Sequence, residues 1–169
     1  IHDALARVGA FLQADRSYVF LVDWSAEVMT NTHEWCGEGV RSEKDNLALL
    51  PFSVVPQWIE EIRASQDIII PCVKDLSLAW NAEKEVLGGQ GIQSLAVVPM
   101  VYEQTVVGFV GFDSVKQRRE WNEEEITLLR VMTDLLAGAF RKRRVDEALQ
   151  TEKRRFQLLI QQAPFGLVL

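Results

Sequence analysis

The stretch from Gly91 to Ser114 constrains this chain more than any other. Two apolar runs, Ile92 to Met100 and Thr105 to Phe112, flank a short polar break at Tyr102-Glu103-Gln104. Valine and aromatic residues dominate both, which predicts two strands joined as a tight antiparallel hairpin. In the second strand Val106, Val110 and Phe112 alternate with Val107, Phe109 and Gly111. Both faces are then apolar, as in a central strand covered on both sides. Gly108 and Gly111 mark a bulge or the close approach of a backbone or ligand. Pro99 puts the first strand at an edge or near its end.

The segments on either side can be arranged around that hairpin. Ile1, Leu5, Val8 and Leu12 fall at helical spacing, so residues 1–14 predict an amphipathic helix, broken by Asp15-Arg16-Ser17. Strands are expected at Tyr18 to Val22 and Val28 to Cys36. Regular alternation in the second places Met29, Asn31, His33 and Trp35 on one face. A long mixed loop, Gly37 to Val55, follows; loops of this length often act as lids or binding loops. Next come a short helix at Pro56 to Ala64 with Trp58, Ile59 and Ile62 inward, and a brief strand at Asp67 to Pro71. A second short helix spans Ala82 to Leu87, with Gly88-Gly89 as its stop.

The last element is the longest. Asn122 and Glu125 have capping-box spacing, Trp121 can staple against Ile126, and no breaker occurs before Pro164. Val131, Leu135, Gly138, Lys142, Val145, Leu149, Glu152 and Phe156 alternate in steps of four and three, an imperfect coiled-coil seam. Val131, Leu135, Val145 and Leu149 are its apolar positions and predict a parallel homodimer through the terminal helices. The basic run Arg141 to Arg144 has Asp146 and Glu147 at helical spacing, which predicts a solvated helix rather than a nucleic-acid surface.

Composition narrows the function classes. With 169 residues, 48% of them hydrophobic, the chain can bury one core and carry a small appendage. A net charge of −6 disfavours nucleic acid as a partner. No apolar run has the length of a membrane span and no signal peptide opens the chain, so contact with a membrane is not expected and a cytoplasmic location is. The start at Ile1 and the stop inside an apolar pattern suggest a piece of a longer protein.

Gly91-Ile-Gln-Ser-Leu-Ala-Val-Val-Pro, Val107-Gly-Phe-Val-Gly-Phe-Asp and Trp121-Asn-Glu-Glu-Glu-Ile-Thr-Leu-Leu, with Asn31-Thr-His-Glu-Trp-Cys and Asp45-Asn-Leu, resemble a GAF domain of a bacterial multidomain sensor. The resemblance covers residues 1–143 and implies an α+β, PAS-related fold. Its parts are a six-stranded antiparallel sheet, helices on one face, a ligand pocket on the other, and long N- and C-terminal helices. Residues 144–154 would be a helical linker, and 155–169 resemble the truncated start of a PAS domain. Such an order implies a non-catalytic regulatory module that relays a signal through its exit helix. The parent would be a sensor histidine kinase, or a diguanylate cyclase or phosphodiesterase.

Enzymatic motifs are scarce: there is no phosphate loop and no nucleophile elbow. His33 and Cys36 fall on opposite faces of a regular strand, and the remaining Cys72 and His2 do not complete a metal set. Cys36 and Cys72 leave open a thiol-based redox sensor or a methionine-sulfoxide-reductase-like enzyme, although that branch of the family resembles a three-cysteine arrangement. The family's bilin attachment pairs a cysteine with a histidine, whereas Cys72 precedes Val73 and Cys36 precedes Gly37. The cyclic-nucleotide signature is missing, and haem would depend on His33. No cofactor is therefore expected beyond an unidentified small molecule. Aromatic walls with a few polar groups suit such a ligand. His33, Trp35, Trp58, Trp80 and Asp113 are the candidate residues, with the ligand between the sheet and the Gly37–Val55 loop. Each also has a plainer role: core packing for the tryptophans, a structural histidine, and a turn cap at Asp113.

Overall fold

Alternating β-branched and aromatic residues make the strands here, and the turns between them set the register. A computed structural model describes residues 1–162. It contains two units, Ile1–Ala137 and a second that begins at Gly138.

In the first unit, β1 (Arg16–Asp23), β2 (Val28–Cys36), β3 (Leu50–Pro51), β4 (Ile68–Ile70), β5 (Ser94–Tyr102) and β6 (Thr105–Ser114) form one sheet in the order β3-β2-β1-β6-β5-β4. Every neighbouring pair is antiparallel. The expected hairpin is β5–β6, and its second strand lies centrally between β1 and β5. Glu103 and Gln104 turn it with φ of 46° and 64°, the left-handed pair a two-residue turn requires. Pro99 lies inside β5, opposite Phe109 and past the last residue β4 pairs, so its missing N–H falls where β5 is locally an edge.

The α-helices among the described residues are α1 (His2–Phe11), α2 (Pro56–Arg63), α3 (Asn81–Gly89) and α4 (Glu123–Gln162). One sheet face presents Val19, Val98, Val110 and Phe112, all buried. Helix α1 lies against β1 and β2, with Leu5 and, just past its end, Leu12 buried; Ile126, Leu129 and Met132 in the first part of α4 are buried as well. The other face carries Tyr18, Phe20, Met29 and Phe109, roofed by Phe52, Trp58, Ile59 and Ile62. Each large apolar side chain removed from water here contributes about 1.5–3 kcal/mol.

Several local expectations change. Arg16 and Ser17 are the first residues of β1 rather than a break. Helix α3 runs through Gly88 and Gly89, and Gly91 takes the left-handed conformation (φ 73°) beyond it. The Gly37–Val55 segment is not all loop: Leu50–Pro51 pairs with Val28 and Met29 as the sheet's edge. Phe52 within it is buried, whereas Leu49 is exposed.

Two bulges matter most. Phe20 pairs with Asn31 and Val19 with His33, so Thr32 is an extra residue in β2. Met100 pairs with Gly108 and Val101 with Val106, which makes Val107 extra in β6 and moves Val106 into the same core as Phe109.

The start of α4 carries the expected capping box, with Glu125 N–H donating to Asn122 Oδ1 (2.9 Å) and Asn122 N–H to Glu125 Oε2 (3.0 Å). Val131, Leu135, Val145 and Leu149 are all exposed. In the second unit Arg143 pairs with Glu147 at 2.8 Å. Residues 155–162 continue α4, and 163–169, the rest of the PAS-like stretch, lie outside the described residues. Among the described residues no helix is long and apolar enough to cross a membrane.

Candidate ligand pocket

A cavity of about 40 Å³ lies between the sheet and its roof. It is large enough to hold at least a water molecule. Phe20, Met29 and Phe109 form the floor, Leu47, Leu50 and Val55 one wall, and Val86, Leu87 and Ile92 another. Phe20 and Phe109 stack with centroids 5.0 Å apart, and Trp58 meets Phe109 edge-on at 5.8 Å. The residues with polar side-chain atoms on the lining are Arg16, Tyr18, Asn31, Glu34, Gln90 and Trp58.

Arg16 and Tyr18 alternate with Phe20 on β1, so all three point to the cavity side. The Arg16 guanidinium, 1% exposed, donates from Nε (3.0 Å) and Nη2 (2.7 Å) to Asp113 Oδ2, and Nη2 also reaches Gln90 Oε1 at 3.1 Å. Tyr18 donates its hydroxyl to Asp113 Oδ1 at 2.9 Å. Gly111 makes this possible, because a Cβ there would sit 2.2–2.5 Å from two ring carbons and the hydroxyl oxygen of Tyr18. Gly108 is equally constrained, its Cβ position lying 2.1 Å from the Phe20 carbonyl oxygen. Both glycines therefore serve close packing. Burial, reinforced by the Asp113 charge, holds the Tyr18 hydroxyl well above the ordinary phenol range, so it stays a donor. Burial works against the charged form of Arg16, but Asp113 outweighs it and the guanidinium stays charged.

Glu34 organises the other polar edge. Its Oε2 accepts from the backbone N–H groups of Glu43 (3.0 Å) and Lys44 (3.2 Å) and from the Ser42 hydroxyl. Its Oε1 accepts from Asn31 Nδ2 at 3.2 Å. That bond fixes the Asn31 amide, since the flipped form would set two acceptors against each other. Asn31 Oδ1 and Trp58 Nε1 are left buried without a hydrogen-bond partner. A buried polar group with no partner loses about 1–3 kcal/mol, so two in one cavity mark a place for a polar guest.

The candidate residues separate. Trp58 lines the cavity. Asp113 lies behind it and anchors Arg16 and Tyr18; Asp15 Oδ2, not Asp113, caps the turn after β6 by accepting from Val115 and Lys116 N–H. The bulge at Thr32 overturns the grouping of Asn31 with His33 and Trp35. Beyond it Glu34 pairs with Tyr18 on the cavity face, while His33 pairs with Val19 and Trp35 with Ser17 on the opposite one. Trp35 packs over Gly9 of α1, and His33 Nδ1 lies 3.0 Å from Thr32 Oγ1. Trp80 packs half-buried against the core and is not on the cavity lining. Arg16, Glu34 and Gln90 escaped the sequence reading. The Arg16, Tyr18, Phe20 alternation was the signal for the first, and nothing local announced the other two.

The thiols stand apart. One row of the sheet runs Cys36, Arg16, Asp113, Leu95, Ile70, so Cys36 is four strand steps from the strand that precedes Cys72. At about 4.8 Å a step this is roughly 19 Å, far beyond disulfide reach. Burial, with help from Glu34, pushes the Cys36 thiol up to about 11, the opposite of a reactive cysteine. Among the described residues no cluster of three or more His, Cys, Asp or Glu is placed to hold a metal.

A model of the GAF domain family matches residues 1–140. This chain belongs to the GAF domain family. It is 32% identical over 162 residues to the methanogenesis regulatory histidine kinase FilI of Methanothrix harundinacea, covering 93% of this GAF chain and 18% of FilI. The blue-light absorbing form of the Thermosynechococcus elongatus PixJ GAF domain superposes with a TM-score of 0.73 at 20% identity, over 89% of this chain and 88% of that one. The phycocyanobilin-bound GAF domain of a cyanobacterial phytochrome gives 0.72 at 20% identity, over 86% and 85%. At such identities the likeness shows a shared fold. The GAF sheet is the expected six-stranded antiparallel one, and its cavity lies on the face away from α1.

Proposed function

We propose that this GAF domain is a non-catalytic sensory module that takes a small molecule into the cavity between β1, β2, α2 and α3. The observation that carries the reading is the pair of unpartnered buried atoms, Asn31 Oδ1 and Trp58 Nε1, among apolar walls. The kinship with FilI supports a place in a sensor histidine kinase, and the whole protein's activity is part of the proposal. A cavity of about 40 Å³ suits a compact ligand rather than an open-chain tetrapyrrole.

The signal passes to the exit helix. Helix α4 buries Ile126, Leu129 and Met132 while Val131 and Leu135 stay exposed, and in the second unit Val145 and Leu149, next in the sequence seam, are exposed as well. A second copy of the chain would cover the seam, giving a homodimer that hands the signal to a downstream PAS and output domain in the cytoplasm. Native mass spectrometry of the purified chain tests the ligand reading. A retained small molecule, displaced or lost in Trp58→Phe, is the expected result. A chain that carries nothing and binds nothing in a metabolite screen overturns it.

A further inference from the structure

The charged groups around the cavity are already hydrogen-bonded, and that limits what it can hold. Arg16 is paired with Asp113 and bonded to Gln90, and Tyr18 completes the same carboxylate. Glu34 accepts from two backbone amides, a hydroxyl and Asn31. Of the buried side-chain atoms on the lining residues, those without a partner are uncharged: one acceptor, Asn31 Oδ1, and one donor, Trp58 Nε1–H. Asn31 is 3% and Trp58 5% exposed, so both lie away from bulk water.

A guest anion would meet Arg16 only where it is already paired with Asp113, and a guest cation would have to draw Glu34 away from the donors it already holds. Either would give up its hydration for a partner already engaged. An uncharged guest that offers one N–H and one carbonyl satisfies both open atoms and leaves the existing network intact. The remaining contacts are apolar, from Phe20, Phe109, Leu50 and Val86.

Resting on the reading of the cavity as a ligand pocket, we infer that its ligand class is the uncharged amide: a primary or secondary amide or lactam. Its N–H donates to Asn31 Oδ1 and its carbonyl accepts from Trp58 Nε1–H. The volume of about 40 Å³ fits the amide group with little more than a methyl; a longer ligand would place its amide here and its remainder toward the loop carrying Leu47.

Three molecules of nearly one shape and three charges test the class: acetamide, acetate and acetamidinium. The readout is the indole N–H region of a ¹⁵N–¹H correlation spectrum of the whole chain, which has five tryptophans. The Trp58 resonance is the one missing in Trp58→Phe. Acetamide is expected to move it saturably and to bind about tenfold or more tighter than either charged analogue, a factor of ten being the weight of one well-placed polar match. Asn31→Ala should abolish the preference while Trp58 still reports. If the variants fail to fold, thermal shifts of the unmodified chain with the same three molecules give the same comparison. Tighter binding of acetate or acetamidinium at the Trp58 resonance would overturn the amide class and leave the pocket reading standing. No response to any of the three, with no retained molecule in native mass spectrometry, would overturn both.

Discussion

Gly111→Ala puts the packing of the polar edge to a direct test. The new methyl would sit 2.2–2.5 Å from two ring carbons and the hydroxyl oxygen of Tyr18, well inside any contact a side chain tolerates. Tyr18 is 6% exposed, with Gly111 beneath it and the roof above, so its ring has to swing away and give up the 2.9 Å bond to Asp113. Loss of a hydrogen bond to a charged acceptor amounts to about 1.5–3 kcal/mol. Overpacking adds about 1–3 kcal/mol. Replacing a strand glycine returns about 0.5–1 kcal/mol. The net is a destabilisation of about 2–5 kcal/mol, a large part of the ~5–15 kcal/mol that holds a domain of this size. Urea unfolding followed by tryptophan fluorescence measures it. A double-mutant cycle with Tyr18→Phe separates the causes. If Gly111→Ala has already broken the bond to Asp113, removing the hydroxyl afterwards should have little further effect, a coupling of at least ~1 kcal/mol. A loss below ~1 kcal/mol for Gly111→Ala, or additivity within ~0.5 kcal/mol, would refute the idea that this glycine exists to seat the tyrosine.

Four further outcomes are expected. Asp113→Asn leaves the Arg16 charge buried without its counterpart and should destabilise the domain by about 3–5 kcal/mol in the same urea assay. The Cys36 thiol, raised to about 11 in the folded state, keeps its proton where the unfolded thiol has released it, so stability should fall between about pH 9 and 11. Cys36→Ser should remove that fall in melting curves, and Glu34→Gln should speed alkylation of Cys36 at pH 8 by taking away a neighbouring negative charge. Glu103→Asn with Gln104→Gly suits the left-handed turn better and should stabilise the hairpin by about 1 kcal/mol, read as a higher urea midpoint. Leu135→Asp with Leu149→Asp should convert a dimer to a monomer in sedimentation without lowering the sheet's unfolding midpoint, since both side chains are exposed in the single chain.

The fold was legible because its signals are local and repeated. The valine-rich runs either side of Tyr102-Glu103-Gln104, the Asn122–Glu125 spacing and the inward triad Trp58, Ile59, Ile62 each name their own element. The site was less so. Trp58 could be read from helical spacing, but strict alternation along β2 sent His33 and Trp35 to the wrong face. No residue type at Thr32 announces a bulge; pairing with β1 creates it. Arg16 looked like part of a turn because its partner, Asp113, is 97 residues away. Gln90 and Glu34 matter only through what the tertiary fold brings beside them.

Glu34 has a consequence for how the pocket would behave in motion. With one carboxylate it holds the Ser42–Lys44 segment through Oε2 and sets the Asn31 amide through Oε1. Leu47 O, farther along the same segment, also accepts from Asn31 N–H at 3.1 Å. Lifting the segment frees the Glu34 carboxylate to turn, and once Oε1 leaves Asn31 Nδ2 the amide can rotate half a turn and exchange its carbonyl for its NH₂. An opened domain would present a donor where the closed one presents an acceptor. Entry and discrimination would then share a single degree of freedom: a molecule is admitted while the pocket's polarity is undecided, and is selected as the segment settles back onto Glu34.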